Sequence, residues 1–434
     1  MKHRSSILSA LLCLLWLPSL QAADDAFIVG VGTHVTSDHG LDMMAEAGVT
    51  WLREDIHWDE VERQKGVLQM PARYERYVAE ALRRGIKPDL ILCYGNPLYD
   101  RGGFPLSEEA LEGFARYAEF VVKHFQGRVQ FYEVWNEWNY GIGLPNGHHP
   151  GDAAAYVKLL AKVYPRLKAL DPKLTVLGGA MSGNGVASGW FEAACQAGML
   201  DHLDGLSYHP YCWRATGPDR TPERGLLKLV VDNQVIAKRY RPAELPVYLT
   251  EIGWPTHQGK NTTSVEENAR FLARTFLLMR TVPFIKGVWW YDFRDDGRIA
   301  DPVDPERNFG IVYNNFAPKP AYFALLEVCR LFETARYVGA SVPAPGLHLL
   351  EFRNAAGKII YALWSEQETE TRELVLESAS SPGPAKVTPM GENEIPQAWE
   401  TQNHLSQLHL QPSPMPTVVD TGLSEVKVLP VSTP

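Results

Sequence analysis

Apolar, β-branched runs recur along the first three quarters of the chain. They begin near Phe27, Val49, Pro88, Val129, Thr175, Leu203, Pro246 and Ile285. The intervals hold helix-like stretches at 41–47, 74–84, 108–125, 153–170, 190–197, 222–239 and 265–280, and another at 320–334 follows the eighth run. After Ser107, residues Leu111, Phe114, Tyr117, Ala118, Val121 and Val122 recur at spacings of three and four, which makes one helix face apolar. Ser264 followed by Glu267 reads as a capping box at another helix start. Gly48 is placed to end the first helix. A strand–helix unit repeated eight times at ~40 residues favours a closed (β/α)8 barrel over an open sheet.

The texture changes after about Phe332. Residues 347–352, 358–364, 373–377, 386–389, 405–410 and 418–429 read as short alternating strands separated by Pro, Gly and Ser. We expect a (β/α)8 TIM barrel over residues 25–333 and a small C-terminal β-sandwich over 334–434. At the other end, Lys2 and Arg4 precede an apolar run from Ile7 to Leu17, and small residues follow. This predicts a secretory signal peptide over residues 1–22, cleaved after Ala22 or Ala23, and a secreted or periplasmic mature protein. No later run offers a membrane span.

The 434 residues are 45% hydrophobic and 21% charged, as in a globular protein, and the net charge is −9. That balance argues against nucleic acid or anionic lipid as a partner. No Gly-rich dinucleotide fingerprint or Walker-type loop is present. Cys93, Cys195, Cys212 and Cys329 remain after the signal peptide. Cys195 and Cys212 are near enough to pair, although buried free thiols are the simpler reading. Twelve Trp and eighteen Tyr suit sugar rings as well as they suit a core.

The chemistry stands at two strand ends. The fourth strand runs into Glu133-Val134-Trp135-Asn136-Glu137-Trp138, and the seventh into Leu249-Thr250-Glu251-Ile252-Gly253-Trp254. Carboxylates are disfavoured in strands and costly to bury without partners. A barrel puts its reactive groups at the carboxyl ends of its strands, so Glu137 and Glu251 face one another there. Paired carboxyls suit glycosidic bond cleavage, one giving a proton to the leaving oxygen and one attacking the anomeric carbon. Glu133, four residues deeper, reads as a structural carboxylate paired inside the barrel.

Trp135-Asn136-Glu137 and Thr250-Glu251-Ile252-Gly253-Trp254 resemble the corresponding motifs of clan A retaining glycoside hydrolases, and the match spans roughly residues 25–333. The resemblance implies Glu137 as acid/base and Glu251 as nucleophile. It also matches Arg53 to the arginine beside the nucleophile, His209 and Tyr211 to strand six, and Trp290 to the sugar-platform Trp of strand eight. With Asn308-Phe309-Gly310 and Pro318-Lys319-Pro320-Ala321-Tyr322, the chain is most similar to glycoside hydrolase family 39, and within it to bacterial exopolysaccharide hydrolases. Trp138 departs from the pattern, which usually has Pro there. The resemblance implies an endo-acting enzyme on a secreted polysaccharide, with the machinery that makes or exports it as a partner.

Other residues are candidates on position alone. Asn136 is placed to hydrogen-bond a sugar 2-hydroxyl. Trp58, Tyr94, Trp138, Trp213 and Trp254 follow strands or lie in strand–helix loops, where they either line the groove or pack. Asn96, just past the third strand, is a candidate hydroxyl binder. Arg294, Asp295, Asp296 and Asp301 read as a solvated rim. His34, His57, His148, His149 and His257 share no metal-ligand spacing, so neither metal nor cofactor is expected. Rival readings are a non-catalytic carbohydrate-binding barrel, an exo-acting β-glycosidase such as a xylosidase, and a metal-dependent deacetylase or lyase.

Overall fold

The computed structural model describes residues 27–34, 36–296, 301–380, 382–402 and 404–431. The signal-peptide reading falls outside them. Among the described residues no helix is long and apolar enough to cross a membrane. The chain forms two compact units, one of residues 28–263 and 283–317, the other containing 264–282 and 318–434.

In the first unit eight strands close into a barrel. They are β1 (Ile28–Gly32), β2 (Trp51–His57), β3 (Lys87–Cys93), β4 (Phe131–Val134), β5 (Thr175–Ser182), β6 (Gly205–His209), β7 (Val247–Ile252) and β8 (Ile285–Trp290). Each pairs in parallel with the next, and β1 pairs with β8 to close the ring. The barrel expectation holds, with every strand starting within two residues of its apolar run. Large side chains plug the interior at the amino ends: Ile28, Leu177, Tyr248 and Trp289 pack together, with Trp51 and Phe131 against them. Glycine makes the room. A Cβ on Gly30 would stand 2.4 Å from the Trp289 ring. Gly48, at φ +77°, ends the first helix (Asp38–Glu46), a conformation that costs glycine nothing.

The second unit holds two antiparallel sheets. One runs β14 (Ile395–Gln397), β13 (Ala385–Pro389), β17 (Thr417–Asp420), β11 (Ile359–Ser365), β10 (Leu347–Asn354), β9 (Ala335–Ala344). The other runs β15 (Glu400–Gln402), β16 (Leu405–Leu410), β12 (Leu374–Ser378), β18 (Lys427–Val428). Leu349, Tyr361 and Leu363 of the first sheet and Leu374, Leu376, Leu408 and Leu410 of the second share one core, as in a sandwich. Helices Val265–Arg280 and Pro320–Thr334 belong to this unit. The Ser264 hydroxyl caps the first of them by accepting from the Glu267 amide at 3.1 Å. Cys93, Cys195, Cys212 and Cys329 are buried free thiols.

Candidate active site

The polar layer lies above the aromatic plug. Arg53 and Asp89 stand in register on neighbouring strands. Glu133, His209, Thr250 and Glu251 add to the layer from β4, β6 and β7, and all six side chains are buried. Beyond β4 the chain turns sharply. Trp135 and Glu137 take left-handed backbone conformations, at φ +67° and +46°. Such geometry costs a non-glycine residue ~1–3 kcal/mol and persists only where neighbours enforce it. Here the Trp135 amide donates to Leu92 O at 2.9 Å and the Glu137 amide to Ala180 O at 2.8 Å. The fourth strand end is thus pinned to the third and fifth.

The turn puts Glu137 on the wall of a cavity of about 590 Å³, which Glu251 also lines. Each residue is 8% exposed. A carboxyl oxygen of Glu137, one of Glu251 and a ring nitrogen of His209 all lie within 4.8 Å of one another. Glu251 is held from two sides: Arg53 Nη1 donates to Oε1 at 2.6 Å, and the Tyr211 hydroxyl to Oε2 at 2.9 Å. Arg53 also binds Glu133 through Nε (3.1 Å) and Nη2, and Nη2 donates to Asn136 Oδ1 at 3.0 Å. Asn136 Nδ2 in turn donates to the Tyr94 hydroxyl at 2.9 Å.

His209 Nε2 faces Arg53 Nη2 at 3.5 Å and Thr250 Oγ1 at 3.0 Å. Arginine is only a donor, so Nε2 is assigned as the acceptor and Nδ1 carries the proton, donating to Glu137 Oε1 at 2.9 Å. Burial pushes His209 below its ordinary value and keeps the ring neutral. Burial also pushes Glu137 upward, with the Glu251 charge adding and the His209 hydrogen bond opposing. Glu251 is raised by burial as well, but the Arg53 charge and the Tyr211 and Arg53 hydrogen bonds favour its anion. When the pair shares one proton, Glu251 holds the charge and Glu137 the proton.

Comparison with known proteins agrees with this geometry. Residues 22–168 match the model of glycosyl hydrolase family 1. The chain is 31% identical to Beta-glucosidase 47 of Arabidopsis thaliana over 119 residues, which span 25% of this chain and 22% of that one. A solved family 39 glycoside hydrolase from the gut symbiont Bacteroides cellulosilyticus WH2 superposes with a TM-score of 0.72 at 27% identity, covering 92% of this chain and 82% of that one. In sequence and in fold the chain is similar to clan A glycoside hydrolases. A monomeric β-xylosidase from Caulobacter crescentus CB15 shares the fold at 15% identity, with a TM-score of 0.63 over 92% of this chain and 97% of its own.

The cavity includes Arg53, Asn136, Glu137, Tyr211 and Glu251 of the residues singled out in the sequence. His209 lies behind the wall, in contact with Glu137. Four expectations are corrected. Trp58 is buried, stacks on Tyr99 at 4.8 Å and donates its indole N–H to Glu62 at 2.7 Å, so it packs a loop rather than meeting a sugar. Asn96 is used up by backbone, giving Nδ2 to Glu62 O at 2.8 Å and taking the Leu98 amide at 2.9 Å. Trp254 and Trp290 are fully buried and stack on each other at 5.7 Å. Successive residues of an extended chain point to opposite sides, and here Tyr291, not Trp290, lines the cavity. Trp138 is buried too, donating to Asp152 O at 3.0 Å, whereas Tyr94 and Trp213 do line the cavity.

Several lining residues carried no signal in the sequence. His34, Tyr140, Asn184, Arg214 and Glu306 come from loops or strand ends without periodicity, whereas Asp55 lies in β2 on the face of Arg53, where alternation could have found it. The Tyr291 hydroxyl donates to Glu306 at 2.6 Å. His34 Nδ1 lies 3.5 Å from Asp292 and 3.2 Å from Asp296. Burial works against a charge on His34, and the two carboxylates overcome it, raising the imidazole well above its ordinary value. That trio and the set Glu137, His209 and Glu251 each bring ligand-type atoms within 4.8 Å. A protonated His34 offers no lone pair to a metal. Asp296 lines the cavity as expected of the rim, but Asp295 is buried and accepts the Gly310 amide at 2.9 Å.

Proposed function

We propose that the protein is a secreted or periplasmic retaining glycosidase that cleaves within a β-linked exopolysaccharide. Glu251 is its nucleophile and Glu137 its acid/base. The reading rests on one observation: two carboxyl groups of unequal environment face one cavity with oxygens within 4.8 Å. A gap of ~5–5.5 Å suits direct attack, whereas ~6.5–9.5 Å is needed to seat a water between them.

In the first step Glu251 attacks the anomeric carbon as Glu137 protonates the departing oxygen, so the glycosidic C–O bond breaks and an ester forms. The negative charge of Glu251 is then gone. Glu137, now the anion, loses the neighbour that disfavoured its ionisation. It takes a proton from water, which attacks the ester and frees Glu251. Asn136, aligned by Arg53 and Tyr94, is the hydrogen-bonding partner for the sugar 2-hydroxyl. The endo reading draws on lining from both arcs around the pair. Ser182, Asn184, Trp213 and Arg214 lie between β4 and β7 one way, and His34, Asp55, Tyr94 and Tyr291 the other way.

Product analysis on a panel of polysaccharides, with and without chelator, tests the reading. We expect oligosaccharides with chelator present, and a Glu251→Ala protein without cleavage. With azide, Glu251→Ala gives no retained product, only the inverted azide. Single sugars released from chain ends would make the enzyme exo-acting. Full activity in Glu251→Ala refutes the assignment.

A further inference from the structure

Arg53 is shared. Its Nη1 serves Glu251, while Nε and Nη2 both serve Glu133 Oε1, a residue outside the cavity and fully buried. One positive charge therefore answers two carboxylates. A guanidinium committed to one anion does less for a second, and the Glu133 charge itself disfavours an anion at Glu251. Below them Asp89 is buried with neither carboxyl oxygen hydrogen-bonded. Burial, helped by the Glu133 charge, pushes Asp89 well above the usual carboxyl range and leaves it a neutral acid. So two acidic side chains lie under Arg53, and of the two Glu133 is the one hydrogen-bonded to it.

We propose that Glu133 is a positioning residue for the reaction: by occupying two of the three Arg53 nitrogens it sets how firmly Glu251 is held as an anion, and hence how nucleophilic that anion is. The inference rests on the assignment of Glu251 as nucleophile. A carboxylate fully committed to Arg53 is a weak base and a weak nucleophile. One that shares Arg53 keeps more of its basicity and still ionises. The other groups facing Glu251 are Tyr94 after β3, Glu137 after β4, His209 on β6 and Tyr211 just beyond it, and Tyr291 and Glu306 beyond β8. Those acting on Glu133 are Arg53, Asp89, Cys93, Tyr156 and His209. Among all of these, Arg53 alone bonds both carboxylates, so Glu133 acts on Glu251 through the shared guanidinium as well as by its own charge.

The test is kcat/KM against pH for Glu133→Gln on the 4-nitrophenyl β-glycoside that the wild type turns over fastest. Removing the Glu133 charge leaves Arg53 to Glu251, so the acid limb moves to lower pH by about one unit. Glu133→Asp, which restores the charge, moves it back, and Asp89→Asn leaves it in place. Labelling of Glu251 by a 2-deoxy-2-fluoro glycoside against pH reads the same limb where turnover is too slow. If Glu133→Gln does not fold, Glu133→Asp and Glu133→Asn are compared, equal in size and different in charge. An acid limb unmoved in folded Glu133→Gln, or moved as far by Asp89→Asn, overturns the proposal. So does folding of Glu133→Asp while no neutral variant folds. A wild type without hydrolysis, or a fully active Glu251→Ala, instead overturns the parent assignment.

Discussion

Tyr211 gives the Glu251 anion a hydrogen bond at 2.9 Å, and no other described hydroxyl does so. A hydrogen bond to a charged group is worth ~1.5–3 kcal/mol, which corresponds to about one to two pH units of ionisation. Without it the anion is harder to form. We expect Tyr211→Phe to move the acid limb of kcat/KM upward by at least about one unit, read from the pH profile on an aryl glycoside. Trp58 makes the opposite case. It was a candidate for lining the groove and is a core residue stacked on Tyr99. Trp58→Ala should cost about 3–5 kcal/mol of stability, measured by urea unfolding, and leave KM unchanged. The difference between the two residues was only partly visible in the sequence. Tyr211 follows a strand whose alternation indicates its face. Trp58 begins a single helical turn (Trp58–Val61), where neither alternation nor a helical stripe indicates which way an indole points.

Element by element, the sequence was most legible where burial imposes a period. The helix Glu108–His124 keeps an apolar stripe against the interior, and most barrel strands are apolar runs because both faces are covered, β2 with Arg53, Glu54 and Asp55 being the exception. Where one side meets solvent, the signal fades. β9, Ala335–Ala344, is mostly exposed or half-buried and carries Gly339 and Pro343, so no strand was legible there. Strands β14 and β15 have three residues each, too few to show alternation. The long segment after β8 has no period at all, and Tyr291 and Glu306 were hidden in it. At the same scale, the approach to β12 (Leu374–Ser378) is tied by Glu370. Arg372 Nε and Nη2 donate to its two oxygens at 2.8 and 2.5 Å, and the Ser365 hydroxyl adds a bond at 2.8 Å. The Arg372 hydrogen bond, first among these, lowers Glu370 from 4.5 to about 2. A depressed folded value means stability fully present above about 4.5 and lost as pH falls toward about 2. Thermal melts of the whole chain should therefore fall less steeply across that window in Glu370→Gln than in the wild type.

At the scale of the whole chain, the reaction depends on groups far apart in sequence meeting at one point. Arg53 reaches Glu133 across 80 residues and Glu251 across 198. Only closure of the barrel makes those separations small, and closure was legible because eight apolar runs recur with a helix-like stretch in each interval. Ionisation at the meeting point is a property of the pair rather than of either glutamate. Catalysis needs one proton on the two carboxyls. Activity should rise with pH as the pair loses its first proton, mainly from Glu251, and fall as it loses the second, from Glu137. Burial raises both groups, so the acid limb belongs above the ~4.3 of an ordinary glutamate. We expect a bell in kcat/KM, and a profile flat from about pH 4 to 9 would contradict it. The same pair fixes the stereochemistry. One oxygen of each carboxyl lies within 4.8 Å, closer to the ~5–5.5 Å of a retaining pair than to the ~6.5–9.5 Å that seats a water, so we expect the first-formed product to keep the anomeric configuration of the substrate. Proton NMR of the nascent sugar, taken before mutarotation, reads this directly. An inverted first product would mean that a water had entered between Glu251 and the anomeric carbon, and that Glu251 acts as a base.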